Sequence, residues 1–421
     1  MSSTVDGTLW YPYAQMRGLD SPYDVVQAQG CTLSLSDGRQ LIDAISSWWC
    51  VIHGYNQPEL NAVLKEQVDR FAHVMLGGLS HEPARALARK LTSIAPAGLN
   101  HVFFADSGSV GMEVAMKMAV QFHKNQGVEG RDRFLALYRA YHGDTSGVMS
   151  IGDPEEGMHH LFRGYLPRQL FVHPPEGFDN QPSLERASAE LSEAFATHHN
   201  SLAAMVVEPI MQGAGGFNFY SPEYLRLARS LCDRYAVPLV FDEVATGFGR
   251  TGRLFAAEHA GVSPDIFVLG KGLTAGYLGM SATLANDRIY QAFLGDGYGS
   301  AFMHGPTFMG NAVAAAVALR SIEIFERDNY LDKIRRIEVQ LRRELLPIRG
   351  AGVKETRVLG AVGVIEVTSP AAHQGLQAFA AERGVWLRPF DRTVYTAPPY
   401  VISECELSQV TAVMRDWFSR S

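Results

Sequence analysis

Of the seven lysines in this chain, six sit where a solvated charge is expected and one does not. Lys65, Lys90, Lys117, Lys124 and Lys333 fall in helical or helix-end contexts, and Lys354 in a polar loop. Lys271 instead follows the apolar run "IFVLG" and precedes Gly272. An amine at a strand end leaves water for the sheet edge, which is costly unless it is paired, neutralised or used covalently. A lysine of depressed pKa attacks carbonyls and forms Schiff bases, including with pyridoxal phosphate. A structural ion pair is the plain alternative. Upstream by 29 residues, Asp242 ends the apolar run "VPLVF". Pyridoxal chemistry needs a protonated ring nitrogen so that the ring accepts carbanion electrons, and a carboxylate against that nitrogen stabilises it. A turn cap is the plain alternative for Asp242.

Three more stretches offer matching chemistry. In "DSGSVGMEVAMKM" (106–118), small residues at Gly108 and Ser109 let backbone N–H groups approach a phosphate, and the following helix start adds partial positive charge. Thr307, in "HGPTFMGN", offers another hydroxyl before a helix. In "YHGDT" (141–145), Tyr141 can stack on a flat heteroaromatic ring. His142 beside it reads equally well as a satisfied core histidine. The stretch "GFGRTG" (247–252) matches the dinucleotide fingerprint, but its context argues against that use. Five residues separate its first glycine from the strand, two carboxylates precede it, and no sustained helix follows. No His, Asp, Glu or Cys set shows metal-ligand spacing, so no metal is expected.

These residues need a scaffold that gathers strand ends. The middle of the chain alternates short apolar runs with helical patterns, which predicts a doubly wound, mostly parallel α/β sheet. Strands are expected at 101–105, 133–139, 202–210, 237–243 and 264–272. In such sheets ligands bind beyond the carboxyl ends of the strands, where Ser107 to Ser109, Tyr141, Asp242 and Lys271 fall. Residues 56–95 and 310–345 read as helices, and 362–368, 384–390 and 393–400 as short strands before a last helix from about Glu404. This divides the chain into an N-terminal segment (1–55) that joins a smaller α+β domain (310–421), and a large domain (56–309).

Composition excludes several function classes. The 421 residues are 47% hydrophobic, ample for a large core, and the formal net charge is −7 with no Lys/Arg block, so no nucleic-acid partner is expected. No apolar run is long enough to span a membrane, and no secretory leader is legible. The four cysteines form no C-x-x-C and read as reduced thiols of a cytoplasmic protein.

Taken in order, "DSGSVGMEVAMKMA", "YHGDT", "VFDEVATGFGRTG" and "PDIFVLGKGLTAG" resemble the motifs of the class III, or omega, aminotransferases of pyridoxal-phosphate fold type I, over roughly residues 10 to 400. A narrower likeness lies in "LWYPYAQM", "SSWWCVIHGYNQPELN", "HVMLGGLSHEPA", "FMHGPTFMGN" and "GVWLRPF". It points to the branch of that family that aminates 8-amino-7-oxononanoate to 7,8-diaminononanoate in biotin synthesis, with S-adenosylmethionine as amino donor. "QGAGG" agrees, because relatives acting on ornithine or aminobutyrate often carry an acid where Ala214 stands.

The resemblance implies pyridoxal 5′-phosphate as cofactor and a homodimer with active sites at the interface. It implies that Lys271 holds the cofactor and shuttles a proton, that Asp242 pairs with the ring nitrogen, and that Tyr141 stacks on the ring. Gly108, Ser109, Pro306 and Thr307 are implied to hold the cofactor, Thr307 from across the dimer interface. Tyr13, Trp48, Asp144, Arg250, Gly305 and Arg388 are implied to line the substrate site, with Arg388 on the keto acid's carboxylate. That last role suits its place after the apolar "VWL", since a guanidinium binds a carboxylate bidentately. Other omega-aminotransferases using lysine, ornithine or a 4-aminobutyrate-like donor remain the alternative. Beyond them stand a racemase or aminomutase on the same cofactor, and a dinucleotide oxidoreductase.

Overall fold

The computed structural model describes residues 7–17 and 22–420. At its centre lie seven strands: β1 (Leu99–Ala105), β2 (Arg133–Leu137), β3 (Leu170–Val172), β4 (Leu202–Val207), β5 (Leu239–Glu243), β6 (Ile266–Leu269) and β7 (Ser281–Asn286). Their order across the sheet is β1-β7-β6-β5-β4-β2-β3. The run from β6 to β3 is parallel, and β7 alone is antiparallel to both of its neighbours. The sheet is therefore mostly parallel, as the alternation of apolar runs predicts. β3 and β7 are strands that the apolar pattern does not reveal. β7 reads "SATLAN", too small and polar to stand out, and its place is set by pairing on both sides.

Helices cover both faces, so β4, β5 and β6 are buried throughout. The two-residue period then sorts their side chains. Val240 and Val268 face the helix Gly108–Asn125, in a cluster with Met112 and Ala115. Leu239, Phe241, Phe267 and Leu269 face the opposite core. Asp242 shares the face of Val240, and Glu243 takes the other, where it accepts from the N–H groups of Ala256 (2.7 Å) and Ala257 (2.8 Å). Alternation alone decides which of the two adjacent carboxylates looks toward the start of the helix Gly108–Asn125.

Two smaller sheets complete the site. Val353–Leu359, Val362–Val367 and Thr393–Thr396 form an antiparallel sheet. Val25–Gln29, Thr32–Leu35 and Gln40–Asp43 form another, joined in parallel by Val385–Trp386, with Val385 opposite Ile42 and Trp386 opposite Asp43. The strand expected at 384–390 is regular only at these two residues, so Arg388 lies beyond the ladder. The helical stretch 310–345 is two helices, Ala312–Arg327 and Tyr330–Leu345, separated where Asn329 adopts a φ of 50°. The first packs its alanine-rich face on the helices Pro58–Arg70 and Glu82–Ile94. Among the described residues no helix is long and apolar enough to cross a membrane.

The glycines of "GFGRTG" serve packing. Gly249 has a φ of 95°, and a Cβ there would lie 2.4 Å from Cδ1 of Ile334, while Gly252 abuts Gly360. The loop is pressed against the helix Tyr330–Leu345, which leaves no room for a pyrophosphate.

Candidate active site

Five parallel strands deliver their carboxyl ends to one place. After β1 the chain turns at Ser107, whose hydroxyl caps the helix Gly108–Asn125 by accepting from the N–H of Val110 (3.3 Å). After β2 come Tyr141 and His142, after β4 Glu208, at the end of β5 Asp242, and after β6 Lys271. Asp242 is held on both oxygens. His142 Nδ1 lies 2.7 Å from Oδ2, and the N–H of Val244 donates to Oδ1 at 3.0 Å. Burial works against charge on His142, yet the hydrogen bond and charge of Asp242 outweigh it and raise its pKa. The second ring nitrogen, Nε2, is buried with no partner among the described residues.

Lys271 adopts a left-handed φ of 43° in a short turn after β6, a conformation that costs a non-glycine residue on the order of 1–2 kcal/mol. Burial lowers its pKa below the ordinary amine range, while the negative charges of Asp242 and Glu208 pull the other way. Its Nζ lies 5.2 Å from the ring centre of Trp49 and has no hydrogen-bond partner among the described residues. Glu208 accepts from the N–H groups of Tyr141 (3.2 Å) and Gly213 (2.8 Å), and burial pushes its pKa up to about 7.

A second string of contacts runs outward from the helix start. Ser109 Oγ accepts from the N–H of Asp144 at 3.1 Å. Asp144 in turn accepts from the hydroxyls of Tyr141 (3.0 Å) and Tyr13 (3.0 Å) and from Nε2 of His159 (2.9 Å). The hydrogen bond from His159 is the leading cause that lowers the pKa of Asp144. Tyr13 meets Trp48 edge-on at 6.1 Å, and the Arg388 guanidinium lies 4.9 Å over the Trp48 ring. Among the described residues Arg388 has no carboxylate partner. Ser109, Asp144, Tyr141, Tyr13, Trp48 and Arg388 thus form one continuous wall, although Tyr13 and Arg388 are 375 residues apart (388 − 13).

Trp48 and Trp49 stand on a turn of unusual hand. Ser46, Ser47, Trp48 and Trp49 have φ values of 48°, 45°, 58° and 72°. The N–H of Trp49 donates to Ile45 O (2.9 Å) and that of Cys50 to Ser46 O (3.0 Å), which makes one turn of left-handed helix without glycine. At about 1–2 kcal/mol per residue the four cost roughly 4–8 kcal/mol. Asp43 offsets this by accepting from Ile45 N–H (2.9 Å), Ser47 N–H (2.8 Å) and the Tyr55 hydroxyl (2.6 Å). Three bonds to a carboxylate, at about 1.5–3 kcal/mol each, match the cost.

Arg250 is placed differently from the expectation that it lines the substrate site. It is 1% exposed, donates to the carbonyls of Ala361 (3.2 Å), Pro398 (3.0 Å) and Trp49 (3.4 Å) and to Ser46 Oγ (3.5 Å), and lies over Tyr400. The guanidinium braces the tryptophan turn from behind, and its Nε is buried without a partner among the described residues. Gly305, Pro306 and Thr307 also lie apart from the string of contacts. Gly305 and Thr307 are exposed. Their segment packs on residues 72–76, where His73 meets Phe308 and Asn311 donates to Ala72 O.

Sequence reasoning did not single out Glu208, His159 or the pairing of His142 with Asp242. Glu208 had a signal, an acid closing the apolar run "LAAMVV" just before a proline. His159 had none, because its partner is 15 residues away across an irregular loop. A cavity of about 1210 Å³ opens at Tyr141 and His159 and extends between residues 214–219 and the strands of the C-terminal sheet. Lys271, Trp48 and Arg388 do not line it.

Residues 13–418 match the model of the family "Aminotransferase class-III". The chain belongs to the class III aminotransferases. It is 42% identical over 419 residues to the adenosylmethionine-8-amino-7-oxononanoate aminotransferase of Buchnera aphidicola, covering 98% of this chain and 96% of that one. The crystal structure of the enzyme so named from Methanocaldococcus jannaschii superposes with a TM-score of 0.93 at 30% identity, covering 98% of this chain and 97% of that one. A PLP-bound amine transaminase from an uncultivated Pseudomonas species does so with a TM-score of 0.93 at 30% identity, covering 99% and 100%.

Proposed function

We propose that this protein is a pyridoxal-phosphate aminotransferase that makes 7,8-diaminononanoate from 8-amino-7-oxononanoate, with S-adenosylmethionine as amino donor. The observation that carries the reaction type is a half-buried lysine amine without a hydrogen-bond partner among the described residues, beside a carboxylate fixed by a histidine, at adjacent strand ends of a class III fold. The substrates follow from the near full-length likeness to relatives of that name.

The residues present fit the cofactor. A Cβ on Gly143 would lie 2.2 Å from Ser109 Oγ, so the helix start and the "YHGDT" loop close into a tight cradle that a larger residue would fill. Gly108, Ser109 and the first N–H groups of the helix Gly108–Asn125 would hold the phosphate, Tyr141 the ring face, and Asp242 the ring nitrogen. When bound, pyridoxal 5′-phosphate supplies a carbonyl that carries the amine and a ring that accepts the electrons left when the adjacent carbon loses its proton. Lys271 Nζ would take that proton and later return one to the carbon being aminated. His142 keeps Asp242 in place. Arg388 receives the carboxylate of each substrate in turn, its guanidinium having no carboxylate partner among the described residues. Trp48 and Tyr13 form an apolar wall for the aliphatic stem of the keto acid.

The active unit is a homodimer on this reading. Met75, Leu79, Tyr298, Met303 and Phe308 are exposed on the two segments that flank Thr307, an apolar surface that suits a second copy. Thr307 and its neighbours then complete the partner's phosphate site. A division into 1–55 and 310–421 around a cofactor-holding 56–309 is part of the same proposal, as is a cytoplasmic location, with which four unpaired cysteines agree.

Purified enzyme supplied with the keto acid and each of S-adenosylmethionine, lysine and ornithine tests the assignment. Diaminononanoate from S-adenosylmethionine is expected. Turnover with lysine alone would overturn the donor, and no amination of the keto acid by any donor would overturn the substrate.

A further inference from the structure

The left-handed turn that carries the tryptophans is braced from behind by Arg250 and held at its entry by Asp43. Asp43 is buried, ends the strand Gln40–Asp43, and binds both backbone N–H groups at the entry of the turn together with the Tyr55 hydroxyl. Tyr55 reaches back to Ser47 Oγ at 2.5 Å, so Asp43, Tyr55 and Ser47 form a closed set. The same strand registers the other side of the site. Asp43 stands opposite Trp386 in the parallel pair, two residues before Arg388. The strand that Asp43 ends also carries the segment bearing Arg388, through the N–H groups of Ile42 (2.8 Å to Gly384 O) and Ala44 (3.2 Å to Trp386 O), so the turn bearing Trp48 and the segment bearing Arg388, the two partners of the 4.9 Å stack, start from one strand end. In a right-handed turn the same four residues would send both indoles in other directions, parting Trp48 from Arg388 and Trp49 from Lys271.

We propose that Asp43, acting with Tyr55, is a positioning residue for the keto-acid site: it holds the Ser46–Trp49 turn in its left-handed form so that Trp48 and Arg388 make one wall. The inference rests on the functional reading above for the substrate, but not for the turn itself.

Asp43→Asn, Tyr55→Phe and Ser47→Gly holoenzymes test it against wild type with the keto acid varied. Ser47→Gly frees the backbone to leave the left-handed region while removing its strain. KM for the keto acid is expected to rise at least tenfold in Asp43→Asn and about threefold or more in the other two, with kcat falling by a smaller factor. The thermal midpoint of Ser47→Gly is expected to stay within a few degrees of wild type, so that binding and stability separate. Should Asp43→Asn fail to fold, the other two variants, which keep the buried carboxylate, give the same reading. A second measurement needs no turnover: the near-ultraviolet circular dichroism of the apoprotein should lose the same indole signal in Ser47→Gly as in Trp48→Phe. Unchanged KM and an unchanged indole signal in folded variants overturn the proposal. Failure of the wild type to aminate the keto acid overturns the functional reading instead, and the dichroism then decides this one.

Discussion

Replacing Arg388 by methionine keeps most of its stem and removes its charge. The guanidinium lies 4.9 Å over Trp48 and has no carboxylate partner among the described residues, so its charge is free for a ligand. Hydrogen bonds to a charged group contribute about 1.5–3 kcal/mol, and a cation over an exposed ring about 0.5–1 kcal/mol. Arg388→Met should therefore lower kcat/KM for the keto acid by about 2–4 kcal/mol, roughly 30- to 700-fold at 1.4 kcal/mol per factor of ten. The donor half-reaction should fall by a similar factor if the one guanidinium serves both carboxylates, as proposed above. Stability should change by less than about 1 kcal/mol, since no ion pair is lost. Arg388→Lys should recover only part of the loss, as an ammonium lacks the planar fork. Single-turnover rates for each half-reaction, followed by the cofactor's absorbance, make the measurement. The control is a simple alkylamine donor without a carboxylate, whose rate should be spared. Equal loss with that amine would show that Arg388 does not act through carboxylate recognition.

Lys271→Ala should abolish turnover and the visible band of lysine-bound cofactor, without lowering the melting temperature of the apoprotein, because it removes a half-buried amine that has no hydrogen-bond partner among the described residues; a persisting band would place the attachment elsewhere. If Thr307 acts across the dimer, mixing Lys271→Ala with Thr307→Ala protomers should regenerate one intact site per hybrid dimer, and the mixture should exceed the activity of either variant alone. No gain on mixing in dimers shown to exchange would place Thr307 in its own protomer's site. Burial lowers the pKa of His53 to about 4, where its ring bonds Ser321. Between about pH 6.5 and that value the unfolded chain takes up a proton that the folded chain refuses, so stability rises with pH across this window and is lost on acidification. The slope is about 1.4 kcal/mol per pH unit, and denaturant titrations of His53→Gln should show it flattened by that amount.

Some of this was legible in the residues themselves. Short apolar runs with strand spacing mark β1, β2, β4, β5 and β6, and the residue that follows such a run must lie at a sheet edge. Lys271, Asp242, Tyr141 and the Ser107 turn could be assembled for that reason alone. β3 and β7 could not, because a three-residue edge strand and a small, polar strand are made by their neighbours. The glycine fingerprint was rejected from its preceding carboxylates, but only the structure showed what it does instead, which is to pack on the helix Tyr330–Leu345.

The sequence by itself determined which reactive side chains stand at the strand ends, because residue type and strand period are local properties of a chain. Tertiary structure decided how they are used. It paired His142 with Asp242 across 100 residues and Trp48 with Arg388 across 340 (388 − 48), and it sent Arg250 into the core. It also wound four ordinary L-residues into a left-handed turn. No local pattern encodes these outcomes, because each is set by groups that only folding brings together: a buried carboxylate, a neighbouring sheet, and carbonyls left without other donors.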